Sequence, residues 1–269
     1  MSSLITSEGI VHYEMDGRGE PVILLHGWIN SWDVWRETMI YIAEQYRFRV
    51  YALDFWGFGE SAEQVGQPYK LDAYVSMVAQ FMESMGIQRA PIIGHSMGGT
   101  VALKMTIQHP TRVSKTAIVG SPIVGDSLHF LLKLGGRQWI ADTLFQLPGV
   151  LRLVIWYVLA GDSADIKEMI YRDVSRSSAE SFFRSIEDLH RTDLRPLMGQ
   201  IRVPTLGIFG AKDRVVAPSQ AQVLLQCVPH ARTKIMAGSR HFPMLDQDGA
   251  FRETLIQFLK NGHVDGARF

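Results

Sequence analysis

Short apolar runs alternate with longer segments of helical period along most of this sequence. The short runs are rich in Val, Ile and Leu, which is typical of buried strands in a parallel sheet. Strands are predicted at residues 10–15, 22–25, 49–53, 91–93, 116–120, 204–209 and 233–237, and helices at 32–46, 71–85, 100–109, 218–228 and 248–260. Residues 16–20 predict a hairpin turn between the first two strands. The alternation predicts an α/β protein with a mostly parallel sheet and helices on both faces.

This alternation stops after Pro122. Residues 123–198 contain helical pieces, few strand signals and a bulky apolar run at 139–159. We therefore expect a core made of residues 1–122 and 199–269, with a helical insertion at 123–198. The longest unbroken apolar stretch, 153–160, is far shorter than the roughly 20 residues that a membrane-spanning helix needs. No transmembrane segment is predicted.

The overall charge is balanced. The 269 residues include 27 basic and 27 acidic side chains, so nothing in the net charge favours binding to nucleic acid or to an anionic membrane. Cys227 is the single cysteine, which excludes an intrachain disulfide and suits a reducing compartment. Residues 1–6 lack the basic and apolar segments of a signal peptide. These features lead us to expect an intracellular, cytoplasmic protein.

The strongest chemical signal is a glycine-flanked serine between a predicted strand and a predicted helix. Gly94 and Gly98 flank Ser96 in the pattern G-x-S-x-G. In such a sharp turn the glycines leave room for the neighbouring backbone, and the serine hydroxyl projects from the turn. The amide of Met97 would lie at a helix N-terminus and could stabilise an oxyanion. The alternative for this pattern alone is a glycine-rich turn with a solvated serine.

A nucleophilic serine needs a base, and the base needs a group that orients it. Asp213 and His241 each follow a predicted strand, so both are expected at the same edge of the sheet as Ser96. Alone, Asp213 could be a turn aspartate and His241 a loop histidine. The order serine, acid, histidine at strand ends instead predicts a catalytic triad.

A second oxyanion donor is expected in the loop after residues 22–25, where the backbone N–H of Trp28 follows Gly27. His26 is predicted to stiffen this loop, and His95 to pack beside the nucleophile without reacting. Asp54 precedes the serine, so a structural role is predicted for it.

Together these motifs resemble the α/β-hydrolase fold family, and within it the capped serine hydrolases of the esterase and lipase type. The resemblance rests on five stretches, residues 26–28, 54–61, 94–99, 210–213 and 238–243. It implies a roughly eight-stranded sheet and a helical cap at 123–198 over the active site. Dehalogenases and epoxide hydrolases of this family carry aspartate at the nucleophile position, so Ser96 argues against both.

The predicted reaction is hydrolysis of an uncharged, hydrophobic carboxylic ester through an acyl-enzyme on Ser96, without metal or organic cofactor. The apolar residues of the cap either form its own core or line the substrate pocket, with an edge that could contact lipid weakly. The pocket candidates are Trp28, His95, Trp139, Phe145, Trp156 and Phe242.

Three alternatives remain open for the same residues. They are a hydrolase of carbon–carbon bonds in diketone-like compounds, a cofactor-free perhydrolase, and a ligand receptor with slow or no turnover. The partner in each case is a small molecule, and the oligomeric state is not predicted.

Overall fold

The computed structural model describes residues 2–61, 69–130, 132, 149 and 164–262. Within these residues, eight strands form one sheet in the order β1-β2-β4-β3-β5-β6-β7-β8. The strands are β1 (Ser2–Ile5), β2 (Ile10–Gly17), β3 (Glu20–Leu25), β4 (Phe48–Leu53), β5 (Ala90–His95), β6 (Val113–Val119), β7 (Thr205–Gly210) and β8 (Arg232–Met236). Strand β2 pairs antiparallel with β1 and β4, and all other neighbours are parallel. The predicted fold class is confirmed.

Five of the helices in the described residues correspond to those predicted at 32–46, 71–85, 100–109, 218–228 and 248–260. The helices are α1 (Arg36–Gln45), α2 (Leu71–Ser84), α3 (Met97–Gln108), α4 (Ala164–Ser175), α5 (Ala179–Arg191), α6 (Arg195–Met198), α7 (Gln220–Cys227), α8 (Pro243–Asp246) and α9 (Asp248–Asn261). Helix α1 contacts α9, and α2 contacts α3. In β5, Ile92 and Ile93 point to opposite faces of the sheet and neither has exposed surface. Both faces of the central sheet are therefore covered.

Two features of the sheet differ from the sequence prediction. The prediction of a hairpin between β2 and β3 is wrong, because β4 lies between these strands in the sheet and pairs with both. The chain does reverse there, through Gly17 and Gly19 with positive φ, but a local turn does not decide which strands become neighbours. Strand β1 was not predicted, since it is a short edge strand whose Ile5 is 80% exposed.

Two long helices of the predicted cap, α4 and α5, pack on the core beside the carboxyl ends of the strands. The Ser181 hydroxyl of α5 donates to the Gly57 carbonyl at 2.8 Å, and the Leu71 amide donates to the Asp188 carboxylate at 2.8 Å. The assignment of residues 123–198 as a separate cap stays a prediction, because much of this segment lies outside the described residues. No helix in the described ranges is long and apolar enough to cross a membrane.

Candidate active site

Ser96 lies at the junction between β5 and α3 in a strained backbone conformation. Its φ of 51° and ψ of −119° are in a region that non-glycine residues rarely adopt. The Ser96 amide donates to the Val119 carbonyl at 2.8 Å, which ties the turn to β6. A side chain at Gly94 would overlap the Gly98 carbonyl, and one at Gly98 would overlap the His26 carbonyl. The two glycines therefore allow the sharp turn that the G-x-S-x-G pattern predicts.

Asp213 and His241 are joined by a hydrogen bond of 2.8 Å between Oδ2 and Nδ1. Asp213 follows β7, and its other carboxylate oxygen accepts the amides of Val215 and Val216 at 2.8 and 3.0 Å. These amides hold the carboxylate in one orientation. Because Nδ1 of His241 donates to the Asp213 carboxylate, Nε2 is the ring nitrogen of His241 that remains available as a base. Both side chains are buried.

Ser96 and His241 line the same narrow cleft. Asp213 stands behind His241 as its hydrogen-bond partner and is not part of the lining. The structure thus brings the three residues of the predicted triad to one place, at the carboxyl ends of β5, β7 and β8.

The other described walls of this cleft are largely apolar. Trp28 and Phe242, both predicted from the sequence, belong to the lining. Asn30 is its remaining polar member. The aliphatic part of the lining comes from Leu128, Leu132, Ile186, Leu189 and Val215. Among these described residues no lysine or arginine faces the cleft, so this part of the lining is apolar apart from Asn30, Ser96 and His241. Trp139, Phe145 and Trp156, also predicted as pocket residues, lie outside the described residues.

His95 lies beneath the catalytic histidine candidate and does not belong to the described lining of the cleft. It is fully buried, and its Nε2 donates to the backbone carbonyl of His241 at 2.8 Å. Burial, together with the charge that His241 can carry, lowers the pKa of His95 well below its ordinary value. The prediction that His95 lines the substrate pocket is therefore corrected. Its place agrees with the packing role inferred from side-chain alternation.

The loop after β3 carries the predicted oxyanion donor. The Trp28 amide donates to no acceptor within the described part of the chain, and Met97 provides the first amide of α3, which has no partner inside the helix. The Trp28 indole Nε1 donates to the Phe182 carbonyl of α5 at 2.8 Å. Amides without an acceptor beside a nucleophile are suited to stabilise a developing negative charge, and the oxyanion role of Trp28 and Met97 stays a prediction.

His26 holds this loop to the neighbouring strand. Its Nε2 accepts the Phe55 amide at 2.9 Å, so the proton is on Nδ1, which donates to the Gly27 carbonyl at 2.7 Å. Burial lowers the pKa of His26, which keeps the ring neutral in this role. The side chain links the end of β4 to the oxyanion loop and leaves no nitrogen for acid–base chemistry.

Asp54 serves as a second brace at the same edge of the sheet. Its carboxylate accepts the amides of Trp32 and Glu60 at 2.6 and 2.9 Å and contacts Nδ1 of His12 at 2.8 Å. Burial opposes the charged form of His12, but the hydrogen bond and charge of Asp54 outweigh it and raise the His12 pKa. These partners are two backbone amides and a buried histidine ring. Asp54 therefore orients the loop at residues 54–61 and does not contact His241.

An ionic cluster around the buried carboxylate of Asp173 joins α4 to the loop that follows β3. The Asp173 carboxylate accepts the Ser31 hydroxyl and the Arg172 guanidinium, both at 3.1 Å, and Arg172 also bonds Asp33 at 2.6 Å. Burial raises the pKa of Asp173 to about 6, against the opposing charge of Arg172. The sequence analysis did not find this cluster, because it joins residues that are far apart in the chain.

The sequence analysis also missed Asn30, whose side chain lines the cleft. A weak signal was present, since Asn30 is a polar residue two positions after Trp28 in the predicted oxyanion loop. In the part of the chain that the structure describes, no group of three or more His, Cys, Asp or Glu side chains is placed to hold a metal ion.

Comparison with known proteins agrees with this fold. A family model described as alpha/beta hydrolase fold matches residues 20–155. A pimeloyl-[acyl-carrier protein] methyl ester esterase of Vibrio cholerae is 28% identical, over 92% of this chain and 97% of that protein. A 2-hydroxy-6-oxo-6-phenylhexa-2,4-dienoate hydrolase of Burkholderia cepacia is 27% identical, over 94% of this chain and 92% of that protein. The solved structure of an esterase from Exiguobacterium antarcticum superposes with a TM-score of 0.86 at 22% identity, covering 97% of this chain and 99% of that one. This chain therefore belongs to the α/β-hydrolase fold family.

Proposed function

We propose that this protein is a serine hydrolase that cleaves carboxylic esters of hydrophobic, uncharged acyl groups. The observation that carries the proposal is the 2.8 Å hydrogen bond between His241 and Asp213 at the cleft that also contains Ser96. An aspartate that holds the imidazole in one tautomer is needed for proton transfer and has no evident use in simple ligand binding.

In the proposed reaction, Nε2 of His241 takes the proton of Ser96 while Oγ attacks the ester carbonyl carbon. The carbonyl oxygen becomes an oxyanion, which the amides of Trp28 and Met97 stabilise; loss of one such donor typically costs about 3–4 kcal/mol of barrier. The tetrahedral intermediate collapses, and His241 returns its proton to the departing alcohol. Water, deprotonated by His241, then releases the carboxylic acid from Ser96 by the same steps.

The cleft lining supports an acyl group without charge. Its described walls offer aromatic and aliphatic surface from residues such as Trp28, Leu189 and Phe242, and no cationic side chain. The relative from Vibrio cholerae is a methyl ester esterase by its name, which agrees with ester hydrolysis as the reaction class.

The direct test is steady-state hydrolysis of p-nitrophenyl esters with acyl chains from two to sixteen carbons. We expect turnover by the wild type and a loss of about a thousandfold or more in kcat for Ser96→Ala. Ser127→Ala is the matched control, because its hydroxyl is buried without a hydrogen-bond partner in the described residues and takes no part in the proposed chemistry. If folded wild-type protein turns over no ester of any length, the proposal is wrong.

Carbon–carbon bond hydrolysis is the second candidate function, favoured by the similarity to the Burkholderia cepacia hydrolase. The substrate in that protein's name is a dienoate, which carries a carboxylate. The described lining contains no cation to pair with a carboxylate, and this makes ester hydrolysis the better-supported function. Turnover of a ring-cleavage dienoate without turnover of nitrophenyl esters would reverse the preference.

Perhydrolysis and ligand reception with slow turnover stay predictions from the sequence. Perhydrolysis would be detected by peracid formation from acetate and hydrogen peroxide. A receptor would show a ligand-induced rise in the melting temperature with negligible hydrolysis.

A further inference from the structure

Asn30 holds an unused hydrogen-bonding group at the wall of the cleft. Asn30 is only 2% exposed, and its side-chain Nδ2 has no hydrogen-bond partner in the part of the chain that the structure describes. Buried polar groups are nearly always paired, because an unpaired one loses its hydration without compensation. In a ligand cleft, such a donor can recover that loss when a ligand supplies an acceptor.

The backbone next to Asn30 is held in a costly conformation. Ile29 has a φ of 58°, which is a genuine outlier for a β-branched residue. The turn is closed by the Asn30 amide, which donates to the Gly27 carbonyl at 3.2 Å. In this conformation Trp28 and Asn30, the two neighbours of Ile29 in the sequence, both lie on the cleft lining. Strain of this kind persists where the surrounding structure fixes it and is common at ligand sites.

The Asn30 carboxamide lies close to the proposed nucleophile. One point, the position that a Cβ atom would take at Gly27, is 3.1 Å from the Ser96 Cβ and 3.2 Å from the Asn30 Oδ1. The Ser96 Cβ and the Asn30 Oδ1 therefore lie within about 6 Å of each other, so a substrate carbonyl attacked by Ser96 would lie near the carboxamide. The aliphatic members of the described lining offer no competing polar group.

We infer that Asn30 is a specificity-determining residue, which recognises an uncharged oxygen of the substrate a few atoms from the scissile carbonyl. This inference rests on the proposed esterase function. The carboxamide NH₂ donates a hydrogen bond to an ether or carbonyl oxygen in the acyl chain. The protein then prefers esters with such an oxygen to esters whose acyl chain is entirely hydrocarbon.

The test compares pairs of p-nitrophenyl esters that differ by one oxygen in place of a methylene. The pairs are methoxyacetate with butyrate and 3-methoxypropionate with pentanoate. Each kcat/KM is divided by the rate of hydroxide-catalysed hydrolysis of the same ester, which removes the intrinsic reactivity. We expect a normalised preference of about tenfold for the ether in at least one pair, the size that one hydrogen bond to the substrate provides.

Asn30→Leu removes the donor at similar volume, and Asn30→Asp replaces it with an acceptor in nearly the same shape. Both variants should lower the ether preference to about one. Asn30→Asp also keeps the test decisive if the leucine variant does not fold. Leu189→Val is the control, since it changes an aliphatic wall of the cleft and should affect both members of each pair alike.

Three results would overturn the inference, and they are distinguishable. If the wild type hydrolyses both members of each pair with equal normalised efficiency, Asn30 does not select oxygen and the esterase proposal stands. If the Asn30 variants lose activity equally on ethers and hydrocarbons, the carboxamide stabilises the oxyanion instead. If the wild type hydrolyses none of the four esters, the proposed function fails and this inference fails with it.

Discussion

The indole Nε1 of Trp28 donates a hydrogen bond of 2.8 Å to the backbone carbonyl of Phe182, and the two rings lie 4.3 Å apart. Trp28 belongs to the proposed oxyanion loop, whereas Phe182 belongs to α5. The same helix contributes Ile186 and Leu189 to the cleft. One side chain therefore links the proposed oxyanion loop to the helix that forms part of the cleft wall.

Trp28→Phe should weaken substrate binding through this link. Removal of the indole N–H leaves α5 less firmly docked, so we expect KM for nitrophenyl esters to rise several-fold and the free energy of unfolding to fall by about 1 kcal/mol from the lost hydrogen bond. The measurements are steady-state kinetics and urea unfolding.

Trp35→Phe is the matched control for that prediction. Trp35 is fully buried, and its Nε1 has no hydrogen-bond partner in the described residues, so the same replacement loses volume without losing a bond. An equal KM for the two variants would show that the Trp28 hydrogen bond does not position the cleft.

Gly27→Ala should damage the active site without unfolding the protein. An added Cβ would lie 2.7 Å from Nδ1 of His95 and 3.1 Å from the Ser96 Cβ. The His95 ring must move and Ser96 must give way slightly, so we expect kcat/KM to fall by up to about a hundredfold, the loss that a misplacement of about 1 Å can cause. Gly199→Ala is the control, because nothing lies within 4 Å of its added Cβ. Unchanged kinetics in Gly27→Ala would contradict the close packing of this loop on Ser96.

His95→Leu should lower kcat while it leaves KM nearly unchanged. The variant loses the 2.8 Å hydrogen bond to the His241 carbonyl, so the proposed base is held less firmly. We expect a drop of about tenfold in kcat, one decade for a loss of about 1.4 kcal/mol of transition-state stabilisation. His95 acts here as a positioning residue, because it contacts His241 and not the cleft.

His230→Leu is the comparison for that variant. His230 makes a bond of the same type, 2.9 Å to the Val203 carbonyl, and belongs to no part of the described cleft lining. It should alter stability without altering kcat. A similar kcat in all three proteins would remove His95 from any role in positioning.

Stability should depend on pH through Asp173. Burial raises its folded-state pKa to about 6, above the ordinary 3.8, so the folded protein binds more protons than the unfolded chain between these values. The free energy of unfolding therefore falls as pH rises through this window, by up to about 3 kcal/mol. Asp173→Asn removes the titration. In urea unfolding, the free energy of unfolding of Asp173→Asn minus that of the wild type should therefore increase from pH 4 to pH 7.

Asp193→Asn is the control for the titration of Asp173. The hydrogen bond from Arg195 lowers the pKa of Asp193 below 3.8, so from about pH 5 upwards this carboxylate is ionised in both the folded and the unfolded protein. Its effect on stability should be nearly independent of pH there. A flat profile for Asp173→Asn as well would show that Asp173 is ionised in the folded protein at acidic pH.

The motif residues were predictable because their chemistry is local. The strained turn at Ser96 needs glycine on both sides within the same short stretch, and Asp213 and His241 each follow a run of apolar residues that forms a buried strand. Strand ends of a parallel sheet meet at one edge, so sequence order was enough to place these side chains near each other.

Contacts between distant segments were decided only by the tertiary structure. The glycines at 17 and 19 indicate a reversal, but the insertion of β4 between β2 and β3 depends on which strands bury each other's faces. The link between Trp28 and Phe182 spans 154 positions of the chain, and no periodicity encodes it. The same holds for Asp173, whose raised pKa depends on burial against Ser31 in another segment.

By itself, the sequence determined the α/β fold class, the strained serine turn and the identity of the residues proposed to carry out the chemistry. These features follow from hydrophobic period and from backbone conformations that only certain residues allow. The tertiary structure decided that His95 lies behind His241 and that Asn30 belongs to the cleft lining and has a buried, unpaired Nδ2. Such facts depend on which surfaces are excluded from water when segments far apart in the chain pack together.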